Sequence, residues 1–233
     1  MSTDAIVVVA GATLVIGVLT MLGMSRGTTA AEPHEVKPLP KPALELPATK
    51  PGEVRSVVFA GGCFWCTEGA FAQFKGVKDV TSGYAGDTKD KADYRTVCTG
   101  ATKHAEAIKI TYDAGVISYS QLLQIFFLAH DPTTKDRQGN DAGPQYRSAI
   151  FYSNDDEKKV AEAYIKQLND AKAFDSPIVT TIEPLTEFFP AEDYHQDYVA
   201  NNPNQGYVRA CAIPKMDKVR EAYASWLKAE EKN

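Results

Sequence analysis

The sequence predicts an α+β sandwich in which helices pack on one mixed sheet. Short β-rich runs and helical runs interleave from Val54 onward, without the regular β-α-β period of a parallel-sheet protein. About 180 residues follow this point, enough for one substantial core. These two observations together favour a single domain with helices covering a sheet.

The predicted strands are short runs of β-branched and aromatic residues. Ile108, Ile110 and Tyr112 alternate with polar residues, which marks a half-buried strand. In chain order, the predicted strands cover residues 54–60, 77–84, 106–112, 147–152 and 177–183.

The predicted helices show apolar residues at helical spacing. Leu122, Ile125 and Phe126 give the strongest pattern, and Ser153 with three acidic residues after it resembles a helix N-terminus. The predicted helices cover residues 66–74, 118–130, 153–173 and 216–229, and residues 201–206 form a polar loop.

Composition excludes several classes of protein. The chain has 233 residues, 44% hydrophobic and 24% charged, which excludes a disordered or fibrous chain. The net charge is −5 and no Lys/Arg block stands out, so we expect no nucleic-acid partner. Four cysteines are too few for a disulfide-built scaffold, and paired zinc-type CxxC motifs are absent.

The N-terminus is expected to be a membrane anchor or signal-like helix over residues 1–25. Residues 5–24 carry no charge, and a span needs ~20 apolar residues whereas a secretory h-region needs only ~7–15. The small residues Thr29, Ala30 and Ala31 leave cleavage open, and a buried core helix is disfavoured by the terminal position. We expect residues 5–24 to hold the domain outside the cytoplasm, in the periplasm, although Arg26 and Lys37 define the orientation weakly.

A Pro-rich linker is predicted over residues 26–53. It holds six of the thirteen prolines of the chain. Such composition favours extended polyproline II structure and a semi-rigid spacer. The folded domain is therefore predicted to cover residues 54–233.

The chemistry is concentrated where the first strand ends. Gly61 and Gly62 free the backbone, and Cys63 follows where a helix would start. Helix N-termini lower the pKa of a thiol, so we expect Cys63 to be thiolate-prone. The alternative is a buried structural cysteine, but Phe64 and Trp65 directly after it are costly unless they cover something.

An ordered set of motifs resembles the peptide methionine sulfoxide reductase A family. The motifs are Gly-Gly-Cys-Phe-Trp at 61–65 with Glu68, Gly-Tyr at 83–84, Tyr-Arg-Thr-Val at 94–97, Gly-Ala-Thr-Lys-His-Ala-Glu at 100–106, Arg-Gln-Gly-Asn-Asp at 137–141, Gln-Tyr-Arg-Ser at 145–148 and Ala-Glu-Asp-Tyr-His-Gln at 191–196. They span roughly residues 55–215. The resemblance implies a ferredoxin-like two-layer sandwich and no metal or organic cofactor.

The resemblance also implies the reaction. Cys63 attacks the sulfoxide sulfur and becomes a sulfenic acid, while Glu106 donates a proton to the oxygen. On the residues alone, Glu106 between two alanines on a half-buried strand would have a raised pKa, although a solvent-facing carboxylate is the ordinary alternative. The expected substrate is methionine sulfoxide in oxidised proteins.

Further site residues follow from the same resemblance. Tyr94 and Tyr146 would hold the sulfoxide oxygen, Phe64 and Trp65 would line a pocket for the terminal methyl group, and Asp141 would lie near the site. Without the resemblance, each tyrosine would be read as packing. We expect a monomer.

Three other classes of protein fit the sequence less well. A Cys-His hydrolase could use His104 or His195, but no orienting Asn or Asp is identifiable. A thioredoxin-like dithiol protein would place the tryptophan before the first cysteine, whereas Trp65 lies between Cys63 and Cys66. A non-catalytic binding domain leaves the Gly-Gly-Cys turn unexplained.

The recycling step is predicted to begin with Cys66. Many family members carry a cysteine directly after a C-terminal Gly-Tyr pair, whereas here the nearest is Cys211, ~10 Å further along an extended chain. Cys66 lies one helical turn from Cys63, so we expect it to react first. Cys211 would then take the disulfide and pass it to thioredoxin or a similar dithiol, unless Cys66 is structural and Cys211 acts alone. Cys98 is expected only to pack.

Overall fold

The computed structural model describes residues 36–47, 49–50 and 52–229, which belong to a compact unit of residues 36–233. The predictions for residues 1–25 and 26–35 lie outside the described residues. Across the described ranges, every helix is too short or too polar to span a membrane.

Strands and helices alternate along the described chain. The strands are β1 (Val54–Gly61), β2 (Val77–Ala85), β3 (Ala105–Asp113), β4 (Arg137–Gln138), β5 (Asp141–Ala142), β6 (Ser148–Tyr152), β7 (Thr181–Pro184) and β8 (Phe188–Pro190). The helices are α1 (Phe64–Ala72), α2 (Tyr94–Val97), α3 (Tyr119–Ala129), α4 (Asp155–Asp170), α5 (Tyr198–Asn201) and α6 (Ile213–Ala222). A π-helical turn, Val208–Ala212, leads into α6.

Six strands form one mixed sheet in the order β7-β6-β1-β3-β2-β8. The β6–β7 pair is parallel, whereas the other neighbours are antiparallel. The connections β1-α1-β2 and β3-α3-β6 each return two strands away, with one strand of the other unit between them. This mixed sheet with packed helices confirms the α+β class.

The two faces of the sheet are buried differently. Phe59, Ile108 and Ile110 point into the main core, where Phe59 packs on Phe126 of α3 at 4.9 Å between ring centroids. The other face carries a smaller alanine-rich cluster. Because strand residues alternate between faces, Glu106 lies on the same face as Ile108, under the helices.

Several predicted boundaries are wrong by a few residues. Asn154, rather than Ser153, caps α4, because its side chain accepts from the N–H of Glu157 at 2.9 Å. The strand predicted at residues 177–183 begins at Thr181, and the terminal helix begins at Ile213, where Pro214 suits the first turn. Ser118 forms the capping box of α3.

The end of the predicted linker is part of the domain rather than a spacer. Residues 36–47, hereafter the strap, pack Val36, Leu39 and Leu46 against the main core. The side chain of Gln167 on α4 accepts from the N–H of Ala43 at 2.8 Å and donates to the carbonyl of residue 41 at 2.9 Å. The prolines keep the strap extended, so its backbone groups bond to side chains of the helices.

We expect Gln167→Ala to lower the free energy of unfolding by about 1–2 kcal/mol, because two strap hydrogen bonds are lost. Urea denaturation measures this change. Lys166→Ala on the same helix removes only an exposed ion pair and should change stability much less. Equal effects of the two substitutions would show that the strap bonds do not stabilise the domain.

Candidate active site

A turn at Gly62 places Cys63 at the start of α1. Gly62 has φ +89°, and a Cβ there would come within 2.4 Å of the Gln138 side chain. The Cys63 carbonyl accepts from the N–H groups of Cys66 and Thr67 at 3.1 and 3.3 Å. The backbone of Cys63 therefore caps the helix, and its side chain is not used for capping.

Cys63 and Cys66 form a buried thiol pair. Their exposed fractions are 6% and 0%. The hydrogen bond between the two thiols and burial raise the pKa of Cys63 well above its usual value. The expectation that Cys63 is thiolate-prone is therefore wrong, because the neighbouring thiol and desolvation outweigh the helix N-terminus.

Glu106 lies beside the reactive thiol. Its carboxyl group is buried and accepts from the N–H of Phe64, the first residue of α1, at 3.1 Å. Burial raises the pKa of Glu106 well above its usual value, as predicted, and the charges of Cys63 and Asp141 raise it further. The charge of Cys63 raises the pKa of Glu106, so the two buried groups oppose each other's ionisation.

Aromatic rings enclose the start of α1. Phe64 is fully buried against Tyr94 and His195, with centroid distances of 6.4 and 5.0 Å. Trp65 is half-buried, stacks on Tyr198 at 3.7 Å with an interplanar angle of 7°, and donates from Nε1 to His195 Nδ1 at 3.1 Å. His195 is thus part of the aromatic wall, which leaves it without the role of a hydrolytic base.

Tyr94 and Tyr146 both face the buried acid. Burial raises the pKa of each phenol, and the charge of Glu106 raises both further. Both hydroxyls therefore stay protonated and can donate hydrogen bonds. Burial raises the pKa of the Cys98 thiol, which lies near the Tyr94 hydroxyl.

Tyr207 is a site residue that the sequence analysis missed. Its hydroxyl donates to Asp141 Oδ2 at 2.5 Å and accepts from Cys66 Sγ at 3.9 Å. This brings Asp141 to the thiol pair from β5. The Gly206-Tyr207 pair is the sequence feature that could have identified Tyr207, because many family members carry this pair beside the recycling cysteine.

Cys211 packs against the buried thiols because the chain before it is helical rather than extended. It belongs to the π-helical turn and packs against the cluster that contains Cys63 and Cys66. The ~10 Å displacement is wrong, because a helical turn rises only ~1.5 Å per residue. Cys211 also lines a cavity of about 660 Å³ together with Asp141 and Lys215.

This arrangement defines a thiol oxidoreductase. Two buried thiols, a buried carboxylic acid and two phenol donors converge at one strand-to-helix turn, with a third thiol at the edge. Oxidation of the first thiol has a partner at hand, and the acid can protonate a departing or accepting oxygen.

Comparison with known proteins identifies the family. Residues 55–227 match the family model described as peptide methionine sulfoxide reductase. The peptide methionine sulfoxide reductase MsrA of Deinococcus radiodurans is 49% identical over 181 residues, covering 77% of this chain and 88% of that protein. The corresponding protein of Haloquadratum walsbyi is 52% identical over 167 residues, covering 72% and 95%.

Solved structures agree. Mxr1 from Saccharomyces cerevisiae in reduced form is 34% identical with a TM-score of 0.61, covering 67% of this chain and 90% of that one. Methionine sulfoxide reductase A of Corynebacterium diphtheriae is 34% identical with a TM-score of 0.58, covering 75% and 87%. The chain belongs to the peptide methionine sulfoxide reductase A family. It is a thiol-dependent oxidoreductase with peptide-methionine (S)-S-oxide reductase activity.

Proposed function

We propose that Cys63 reduces methionine sulfoxide by attacking its sulfur while Glu106 protonates its oxygen. The observation that carries this proposal is the burial of both Cys63 and Glu106, with the charge of Cys63 raising the pKa of Glu106. The Cys63 sulfur forms a bond with the substrate sulfur as Glu106 protonates the sulfoxide oxygen. The hydroxyl group then moves to the Cys63 sulfur as the sulfur–sulfur bond and the substrate sulfur–oxygen bond break, which gives the Cys63 sulfenic acid. Two electrons pass from the Cys63 sulfur to the substrate, which leaves as the thioether, and the thiol proton of Cys63 returns Glu106 to its acid form.

Tyr94 and Tyr146 would surround the oxygen, and Asp141 would support the pocket through Tyr207. Tyr94 and Tyr146 are protonated donors beside Glu106, so they can stabilise negative charge that develops on the sulfoxide oxygen. Asp141 anchors Tyr207 through its hydroxyl and thereby closes the thiol side of the pocket.

Phe64 and Trp65 would hold the apolar end of the substrate. They are the two residues that follow Cys63 in the chain, and both pack on His195. A terminal methyl group has no hydrogen-bonding capacity, so an aromatic wall beside the nucleophile suits it. The thioether product is apolar as well, and its release does not require a charged group.

Cys66 would resolve the sulfenic acid. Its thiol lies in the same buried cluster as Cys63, so it can attack the Cys63 sulfur, forming a disulfide and releasing water. Cys211 would then attack Cys66, freeing Cys63 as a thiol. Thioredoxin or a similar dithiol would reduce the Cys66–Cys211 disulfide from the cavity that Cys211 lines. Oxidised proteins are the proposed substrates, in keeping with a repair enzyme.

The fold and location complete the proposal. The paired β1-α1-β2 and β3-α3-β6 units, with the central strand order β6-β1-β3-β2, support a ferredoxin-like sandwich. The uncharged residues 5–24 support a membrane anchor that holds this domain in the periplasm.

Glu106→Gln should slow single-turnover reduction by ~10²–10⁴-fold, because the amide cannot donate the acidic proton. In the parent enzyme, the rate should fall as pH rises through the raised pKa of Glu106, since the proton donor is lost there. Rapid-quench kinetics across pH measure both effects.

The matched control for this change is Glu157→Gln, which alters a buried glutamate at the start of α4, far from the thiols in the fold. It should leave the rate and its pH profile unchanged. A near-normal rate in Glu106→Gln would remove the proposed role.

The order of disulfides can be read by mass spectrometry after one turnover without reductant. We expect the parent enzyme and Cys211→Ser to form a Cys63–Cys66 disulfide at the same rate. Cys66→Ser should instead accumulate the Cys63 sulfenic acid. A Cys63–Cys211 disulfide that forms at the normal rate in Cys66→Ser would contradict the proposed order.

Protease added to intact spheroplasts should digest the domain, because the proposed anchor leaves it outside the cytoplasmic membrane. Deleting residues 5–24 should leave the domain in the cytoplasm, protected from the protease. A cytoplasmic marker protein reports membrane integrity. Survival of the full-length domain until the cells are lysed would contradict the proposed location.

A further inference from the structure

Glu68 is a buried carboxyl group that the proposed reaction does not use. It lies on α1 with an exposed fraction of 3%. Its two oxygens accept from consecutive backbone N–H groups, those of Asp197 at 3.0 Å and Tyr198 at 3.3 Å. Burying a carboxyl group is costly unless its hydrogen bonds are made, so these two contacts fix where the segment can lie.

The turn held by Glu68 is strained. Asp197 has φ +51° and ψ +30°, in the left-handed region, although it is not glycine. This conformation is uncommon for residues other than glycine and persists where the surroundings hold it. The paired N–H contacts to Glu68 supply that restraint.

The strained turn leads directly to the aromatic wall. Tyr198 follows Asp197, and its ring stacks on Trp65 at 3.7 Å with an angle of 7°. Trp65 lies three residues before Glu68 on α1, so the two share a helix face. One face of α1 thus carries both the indole and the carboxyl group that holds the stacking partner of that indole.

We propose that Glu68 is a positioning residue for the substrate pocket, because it holds Tyr198 against Trp65 and so sets the place of the wall that receives the methyl end of the sulfoxide. The inference rests on the proposed function of Trp65. Glu68 does not touch the reacting atoms in this account. It acts through the turn at Asp197.

Glu68→Gln is the direct test, because the amide keeps the shape but turns an N–H₂ group toward one of the two backbone donors. We expect KM for a methionine sulfoxide peptide to rise roughly 10-fold, while the single-turnover rate at saturating peptide stays within about 2-fold. Glu157→Gln removes a comparably buried carboxylate that also accepts a backbone N–H, and it should change neither value.

A double-mutant cycle tests whether the effect passes through Tyr198. In a Tyr198→Leu background, Glu68→Gln should raise KM little further, since the positioned ring is already gone. Independent, additive effects of the two substitutions would overturn the proposal.

Trp65 fluorescence gives a readout that does not depend on turnover. With Trp226→Phe in place, Trp65 is the sole tryptophan, because the chain contains two. Glu68→Gln should shift its emission toward that of Tyr198→Leu, and Glu68→Asp, which retains the charge on a shorter side chain, should give an intermediate spectrum. Unchanged emission in folded Glu68→Gln would overturn the positioning role.

These measurements distinguish a failure of the proposed function from a failure of the positioning role of Glu68. Loss of sulfoxide reduction in the parent enzyme would overturn the proposed function, whatever the spectra show. Normal reduction with an unchanged KM in Glu68→Gln would overturn only the role of Glu68. If Glu68→Gln does not fold, Glu68→Asp carries the same comparison of KM, rate and emission.

Discussion

The site depends on the burial of one carboxyl group beside one thiol. Glu106 and Cys63 come from different elements, the start of β3 and the turn before α1, and the N–H of Phe64 joins them. Low exposure disfavours charge on both groups, and the charge of Cys63 raises the pKa of Glu106 further. In the proposed reaction, Cys63 is the nucleophile and Glu106 is the proton donor. The raised pKa lets Glu106 keep the proton that this reaction would pass to the sulfoxide oxygen.

The C-terminal third of the described chain completes what this pair begins. His195 and Tyr198 form the outer wall on Trp65, whereas Tyr207 reaches the thiols and Asp141. The π-helical turn that follows brings Cys211 to the same cluster. π-helical turns are rare and are frequent at functional sites. The proposed substrate wall and the proposed recycling thiol thus belong to one continuous segment. A change in the wall can therefore affect the recycling step.

Local sequence patterns predicted the parts whose physics is local. The period of two in β3, the capping box at Ser118 and the Gly-Gly turn before Cys63 all reflect contacts within a few residues. The strap and the Tyr207–Asp141 contact depend on residues more than sixty positions apart, which periodicity cannot report. The prediction that Cys63 is thiolate-prone was wrong for a related reason. The helix N-terminus can be identified from the sequence, whereas the burial that opposes its effect on the pKa cannot. The family resemblance, not spacing, brought Tyr94 and Tyr146 to the site.

The central claim is that burial and the neighbouring charge of Cys63 together raise the pKa of Glu106, and infrared difference spectroscopy of the Glu106 carboxyl group tests it most directly. The band is assigned by its loss in Glu106→Gln. In the parent enzyme, the carboxyl group should titrate well above the ~4.3 of an unperturbed glutamate. In Cys63→Ala, its midpoint should fall because the neighbouring charge is gone, while burial keeps it above the ordinary value. An identical midpoint in the two proteins would contradict the coupling of the two groups.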